Sequence, residues 1–301
     1  MTTTTIATDL IAPQQRLPGW LRRTLVFLAI LLVLCVLWEG YKALGAATGD
    51  KIPFTGSRLP VRSDDRSMPH LWDIAGALFK PAQRGGEDTL LAILVKSALF
   101  TWREAVVGFL IGSLIGFWLG VMFSRWLLLE RGLMPYVVAS QTVPLLAIAP
   151  MVVIWGSQLG WPAWVAVTII SAYLTFFPVT INTLRGLRSP DPTAVELLRS
   201  YAAPEWQVLW KLRVPAALPY IFTALKISAT ASVIGAIVGE LPSGIADGLG
   251  RALLTFSYYY ISGPEKLYAA ILVAALLGIA FTSIIILIER LVVPPQRRIL
   301  E

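Results

Sequence analysis

The chain has 301 residues, of which 56% are hydrophobic and 14% charged, with mean hydropathy +0.70 and a formal net charge of +7. A soluble domain carries about 25% charged residues, and a single core cannot hide this much apolar surface from water. The composition excludes a soluble enzyme, a disordered tail and a disulfide scaffold, and points to a membrane protein.

The basic residues fall in gaps between apolar runs and form no single stripe, so membrane topology accounts for the positive charge without a nucleic-acid partner. Cys35 has no second cysteine to pair with, and the lone His70 cannot build a metal site. A spanning helix needs about 20 predominantly apolar residues to cross roughly 30 Å of hydrocarbon. Residues 1–23 read as a cytoplasmic tail ending at Arg22 and Arg23, and 24–44 as the first transmembrane helix. A signal peptide is the alternative there, given the basic start, short apolar middle and following Ala46 and Ala47. The long polar head weighs against it.

Residues 45–103 are expected to form an extracytoplasmic loop. Its first part, Gly45 to Met68, is rich in turn formers. Its second part, Pro69 to Phe79, sets Leu71, Ile74, Ala75, Leu78 and Phe79 at helical spacing, which predicts an amphipathic helix. A core follows over 104–289, with apolar runs at about 105–123, 133–155, 162–184, 216–238 and 267–288; residues 290–301 form a cytoplasmic tail. The fold class is therefore an all-α membrane protein of about six transmembrane helices. With the N-terminus inside, the short cytoplasmic gaps hold Arg125, Arg131, Arg185, Arg188, Arg199, Lys211, Arg213 and Arg290. The opposite short gaps hold only Arg251 and Lys266, the bias expected of cytoplasmic loops.

Several residues break the apolar runs. Gly108, Gly112, Gly116 and Gly120 recur every four residues and make a smooth face for close helix packing, inside one subunit or between two. Gln141, Thr142 and Pro144 in the third run line either a polar path or a kink whose freed carbonyls bond to neighbours. Pro178 and Asn182 pose the same choice. Lys226 either faces the path or carries its charge to the interface on its long stem, the preferred reading. Glu240, beside Pro242, is expected to face water, and no acidic residue is expected deep in a span. The segment from Leu241 to Lys266 reads as a loop, with Tyr258, Tyr259 and Tyr260 as an interfacial belt or a docking surface.

The cytoplasmic segment 185–219 is the most informative polar stretch. Pro190 and Pro192 precede a short helix from about Thr193 to Ala202, with Thr193 and Glu196 as a capping box. A second short helix runs from Glu205 to about Leu212, before Pro215 and Pro219 lead into the fifth span. Leu197, Leu198, Trp206 and Trp210 on such a loop suggest a partner surface.

This segment resembles the EAA loop of binding-protein-dependent ABC importer permeases. Glu196-Leu197-Leu198 stands at the family's Glu-Ala-Ala, Ala202 at its glycine, and Val214-Pro215-Ala216-Ala217-Leu218-Pro219 at its closing Leu-Pro. The runs from Met134-Pro135 through Val143–Ser157, Asn182-Thr183 with Arg185-Gly186 and Arg188, and Gly248-Leu249-Gly250 after Glu240, are similar to the nitrate/sulfonate/taurine branch. The resemblance covers about residues 69–298. Leucines replace both alanines, and Ala202 replaces a glycine suited to a left-handed turn.

The resemblance implies a type I importer-like bundle and a permease subunit forming the path for a small anion or small organic solute. It implies a second permease subunit, identical or different, a pair of cytoplasmic ATPases and an extracytoplasmic substrate-binding protein. Glu196, Leu197, Leu198, Arg199, Ser200, Ala202, Pro204, Trp206 and Gln207 would dock on the ATPase. No G-x-x-x-x-G-K-[ST] sequence is present, so this chain is expected to hold no cofactor, and ATP and Mg to belong to the partner. The rivals are a secondary transporter, which would need acidic or histidine ion sites within the spans, and a membrane enzyme, which would need a reactive cluster.

Overall fold

The computed structural model describes residues 19–52, 57–82 and 86–293, and divides into units of residues 1–71 and 72–301. The expected tails 1–18 and 294–301 lie outside the described residues.

The first unit is built on α1 (Gly19–Thr48), which extends the expected span by several residues at each end. None of the residues in its most apolar stretch is buried. The segment after it is laced back to the last turns of α1. Lys42 is buried and donates to Asp65 at 2.5 Å and to the Met68 carbonyl at 2.8 Å. Glu39 accepts the Leu71 amide at 2.9 Å and pairs with His70 at 2.8 Å, and the Tyr41 hydroxyl donates to the Val61 carbonyl at 2.9 Å. Polar staples therefore order a stretch that turn formers alone would leave loose.

The helix α2 (Leu71–Leu78) is shorter than the expected amphipathic segment; Ile74 and Ala77 are buried, while Phe79 just beyond it is 72% exposed. Next comes α3 (Leu90–Arg125), which begins 15 residues before the apolar run and is about 54 Å long at 1.5 Å per residue. Thr89 caps it by accepting the Ala92 amide. The long loop expected over 45–103 thus ends in helix.

The third apolar run is not one helix. It divides into α4 (Leu127–Ser140) and α5 (Leu145–Gln158), bent by 98° at Gln141–Pro144. Pro144 cannot supply an amide to the ladder and disfavours helix at the residue before it, so the chain turns there. Then come α6 (Ala163–Leu187), α7 (Pro192–Ser200), a single turn α8 (Glu205–Gln207), α9 (Val214–Ser243), α10 (Leu249–Tyr258) and α11 (Pro264–Val292). Among the described residues, five helices are long and apolar enough to span a membrane, six if the bent pair counts as one. The α10 helix occupies the stretch read from sequence as loop.

The bundle is organised around α6, which packs between α3 and α9. The four glycines lie on this contact. A Cβ at Gly108 would stand 2.5 Å from Ser171 Cβ, at Gly112 2.5 Å from the Ala172 carbonyl, and at Gly120 2.7 Å from Thr183 Cβ. The close packing expected of this repeat thus lies within one chain. On the other face of α6, Gly235 approaches the Ser171 backbone and Gly239 that of Val167. The Ser171 hydroxyl donates to the Ser232 carbonyl at 3.0 Å, and Ser228 donates to the Thr175 carbonyl at 3.3 Å. Small residues bring the backbones together and buried hydroxyls bond across them, the way helices associate without water. Trp102, Phe109 and Phe281 join α3 to α11, with ring centroids 4.7 and 5.0 Å apart.

Candidate functional site

The knob after α6 is ordered by local chemistry. The cap of α7 is Asp191, whose carboxylate accepts the Thr193 amide at 2.8 Å, with Pro192 at the first helical position. The expected Thr193–Glu196 box is not formed, because Asp191 places an acceptor two residues earlier and Pro192 has no amide to satisfy. The helix ends in a Schellman motif: the Ala203 amide donates to the Leu198 carbonyl at 3.1 Å and the Ala202 amide to that of Arg199 at 2.9 Å. Ala202 sits at φ +52°. A left-handed bend is thus adopted without a glycine, at a steric cost of about 1–2 kcal/mol.

The second short helix does not stop before the fifth span. A turn of π-helix, Val208–Arg213, carries α8 directly into α9. In a regular α-helix the Pro215 ring would press on the Lys211 carbonyl; a widened turn just upstream relieves that clash. The knob is therefore rigidly joined to a spanning helix. On its surface Glu196, Leu197, Arg199, Ser200, Ala202, Pro204, Trp206 and Gln207 are exposed, with Leu197 57% and Trp206 62% accessible, while Leu198 is half-buried. Arg199 pairs with Glu205 at 3.0 Å across the bend, and Trp206 leans on Trp210 with centroids 5.2 Å apart. Beneath it, Val121, Leu187, Leu209 and Ala217 form a buried cluster joining the knob to α3 and α6. Arg188 makes a bidentate pair with Glu130, its Nη1 at 2.8 Å, which ties the ends of α6 and α4.

The other residues singled out from sequence are separated from the knob. At the α4–α5 elbow, Gln141 is half-buried, and Thr142 and Pro144 are exposed. The Thr142 hydroxyl donates to the Ala139 carbonyl at 2.7 Å, and the Tyr173 hydroxyl of α6 donates to the Ser140 carbonyl. The carbonyls freed by the break are thus bonded. Asn182 likewise donates to the Pro178 carbonyl at 2.8 Å. Lys226 forms an ion pair of 3.2 Å with Glu289 of α11, with both side chains largely buried.

Glu240 does not face water, and acidic residues do lie inside the bundle. Glu240 is 1% exposed; it accepts the Thr101 hydroxyl at 2.6 Å and the Gly250 amide at 2.5 Å. The Thr101 oxygen in turn accepts the Leu249 amide at 2.8 Å. Gly248, at φ +105°, leaves room for the carboxyl: a Cβ there would lie 2.5 Å from Glu240 Cδ. The glycines after Glu240 are explained by this carboxylate seated at the start of α10. Glu104, also 1% exposed, is its neighbour. Sequence reading missed Glu104 because it precedes the apolar run beside Arg103. Its signal was register, since Glu104 stands one further repeat of four before Gly108 on the same helix face.

Residues 112–298 match the family described as "Binding-protein-dependent transport system inner membrane component". The chain belongs to this family. It is 36% identical over 215 residues to the formylaminopyrimidine transport permease protein ThiX of Halalkalibacterium halodurans, covering 68% of this chain and 81% of that protein. It is 26% identical to the nitrate import permease protein NrtB of Synechocystis sp., over 88% of each. The fold matches a chain of the MetNI methionine ABC transporter in an inward-facing conformation, with TM-score 0.56 and 20% identity over 68% of this chain and 98% of that one. The protein is thus a multi-pass permease subunit of an ATP-binding cassette importer for small solutes, in a family that works with ATPase and substrate-binding components. Family membership, and not an absence of buried acids, decides against an ion-driven carrier.

Proposed function

We propose that this permease forms half of a solute path and is moved through its knob by a separate ATPase. The observation that carries the reading is the exposed Leu197, Tyr201 and Trp206 on a knob joined without a break to the spanning α9. Such an apolar surface held by a polar bend suits docking into a groove. A force on Trp206 is passed along the continuous helix to the centre of the bundle. Glu196 to Gln207 are the contact residues. The chain itself performs no hydrolysis; ATP and Mg belong to the partner.

The knob end carries Arg125, Arg131, Arg185, Arg188, Arg199 and Arg213, which supports a cytoplasmic position for it and for both termini in the cell (inner) membrane. A second permease, identical or different, completes the path, and a binding protein delivers the solute on the opposite side, toward α10. The elbow at Gln141, Thr142 and Pro144 is assigned to the path wall. Lys226 is assigned to cohesion between α9 and α11 through Glu289, not to the path. By analogy with the relatives named above, the solute is a small anion or a small organic molecule.

Co-purification with the ATPase and binding protein of the same transport system, followed by reconstitution in liposomes, tests the reading. Trp206→Ala and Leu197→Asp are expected to abolish ATP-dependent uptake while the chain still inserts. Uptake at the unaltered rate in both variants overturns the docking assignment.

A further inference from the structure

Two carboxyl groups from different helices meet where α3, α9 and α10 converge. Neither oxygen of Glu104 receives a hydrogen bond from any described residue, although the side chain is 1% exposed. Glu104 stands one turn after Thr101 on α3, and Thr101 donates to Glu240 at 2.6 Å, so the register of α3 brings the Glu104 carboxyl beside that of Glu240. Glu240 is supplied asymmetrically: one oxygen takes the Thr101 hydroxyl at 2.6 Å and the other the Gly250 amide at 2.5 Å. An ionised carboxylate only accepts hydrogen bonds, whereas a protonated one also donates. Two ionised groups at this place would be acceptors facing acceptors, with one of them lacking every donor.

We propose that Glu104 and Glu240 form a binding site for a single proton, carried by Glu104 and donated to Glu240, which fastens the start of α10 to α3 and α9. The donor allocation says which group holds the proton: Glu240, with two donors, suits the anion, and Glu104, with none, suits the acid. The one Thr101 hydroxyl proton has two acceptors in reach, Glu240 at 2.6 Å and the Ser97 carbonyl at 3.1 Å, and the shorter contact assigns it to Glu240; the oxygen accepts from Leu249, which leaves little to coordinate a metal. No group of three or more His, Cys, Asp or Glu able to hold a metal ion exists among the described residues.

The charges on the surrounding helices do not replace the proton. On α3, Lys96 is exposed and pairs with Asp247 at 3.6 Å, and the Arg103 guanidinium lies over the Trp164 ring at 4.9 Å. Arg125 of α3 and Arg185 of α6 sit at the far ends of their helices. On α9, Lys226 is about 21 Å along the helix from Glu240 and is paired with Glu289. Arg251 of α10 is exposed. At the start of α11, Glu265 is followed by Lys266, whose Nζ donates to the Ala82 carbonyl at 2.8 Å. Glu289 and Arg290 lie at its other end. Loss of the proton would set two carboxylates against each other at the root of α10 and loosen that segment.

Infrared difference spectroscopy of the full chain in nanodiscs, with isotope-labelled glutamate, tests the site. The expected result is a protonated-carboxyl band at neutral pH, lost in Glu104→Gln and unchanged when sodium or potassium is replaced by a bulky organic cation. Amide exchange in α10 should stay slow in Glu104→Gln, whose amide still donates to Glu240. In Glu104→Ala it should rise about tenfold, as expected for one lost hydrogen bond. Three results overturn the proposal. One is no such band in the unaltered chain; another is a band that appears only when alkali ions are removed, which assigns the site to a metal ion. The third is exchange in Glu104→Gln as fast as in Glu104→Ala. If the variants fail to insert, the band of the unaltered chain and its response to cations decide alone.

Discussion

The Gly250 amide of α10 donates to the Glu240 carboxylate of α9 at 2.5 Å, and a Cβ at position 250 would stand 2.3 Å from the Ile237 carbonyl. A backbone oxygen cannot move aside as a side-chain tip can. Gly250→Ala is therefore expected to cost about 1–3 kcal/mol and to loosen α10. A lower melting temperature in detergent, with faster amide exchange over 249–258, checks this. Gly132→Ala on α4, where nothing lies within 4 Å, is the control that should neither lower the melting temperature nor speed exchange over 249–258.

The same reasoning applies to the glycine seam. A Cβ at Gly116 would lie 2.5 Å from the Phe176 carbonyl and 2.9 Å from Val179 Cβ. Gly116→Leu should force α3 away from α6 and leave an aggregated or unfolded chain, seen by size-exclusion chromatography after extraction. Gly40→Leu on α1, where a Cβ would meet nothing within 4 Å, should elute as the unaltered protein does.

Ala202 occupies the left-handed region at φ +52°. Ala202→Gly removes the Cβ clash and is expected to stabilise the bend after α7 by up to about 1 kcal/mol, offset in part by the greater freedom of glycine when unfolded. Slower amide exchange at Ala203, whose amide closes the Schellman motif, is the readout. Faster exchange would show that the bend is held by other contacts.

Acid should loosen α7. The Thr193 backbone amide bonded to Asp191 holds its carboxyl below the ordinary aspartate value. A depressed value means that the cap contributes fully above the unfolded value of about 3.9 and is lost as pH falls through the lower folded value. Protection of residues 192–200, measured against the intrinsic exchange rate at each pH, should thus fall on acidification below that range. Asp191→Asn, which caps without a charge, should remove the pH dependence of that protection, and Asp191→Ala should show low protection at every pH.

Lys226 and Glu289 form their 3.2 Å pair with side chains only 17% and 15% exposed. Lys226→Met strands a buried carboxylate and is expected to cost about 3 kcal/mol, whereas adding Glu289→Leu should restore most of the loss. Thermal unfolding of the single and double variants checks this. A double variant as unstable as the single one would show that Lys226 is retained for its other contacts.

The local features were readable from sequence: the repeat Gly108–Gly112–Gly116–Gly120 names a close-packed face, and the prolines around 190–219 mark the knob. The unread features depend on partners far along the chain. Glu240 looked like a solvated helix end until Thr101, more than a hundred residues earlier, and Gly250 closed around it. The elbow at Pro144 looked the same in sequence as Pro178, which α6 absorbs without a break; neighbouring packing separates the two. The capping box at Thr193 was a sound local pattern displaced by Asp191, an equally good cap two residues earlier.

The glycine seam also limits how this permease can change shape. Because α3 and α6 meet backbone to backbone, neither can slide or roll against the other without collision, so the two travel as a single strut. Rearrangement during a transport cycle has to be absorbed away from that seam, and the 98° elbow between α4 and α5, with Thr142 and Pro144 exposed, is such a place.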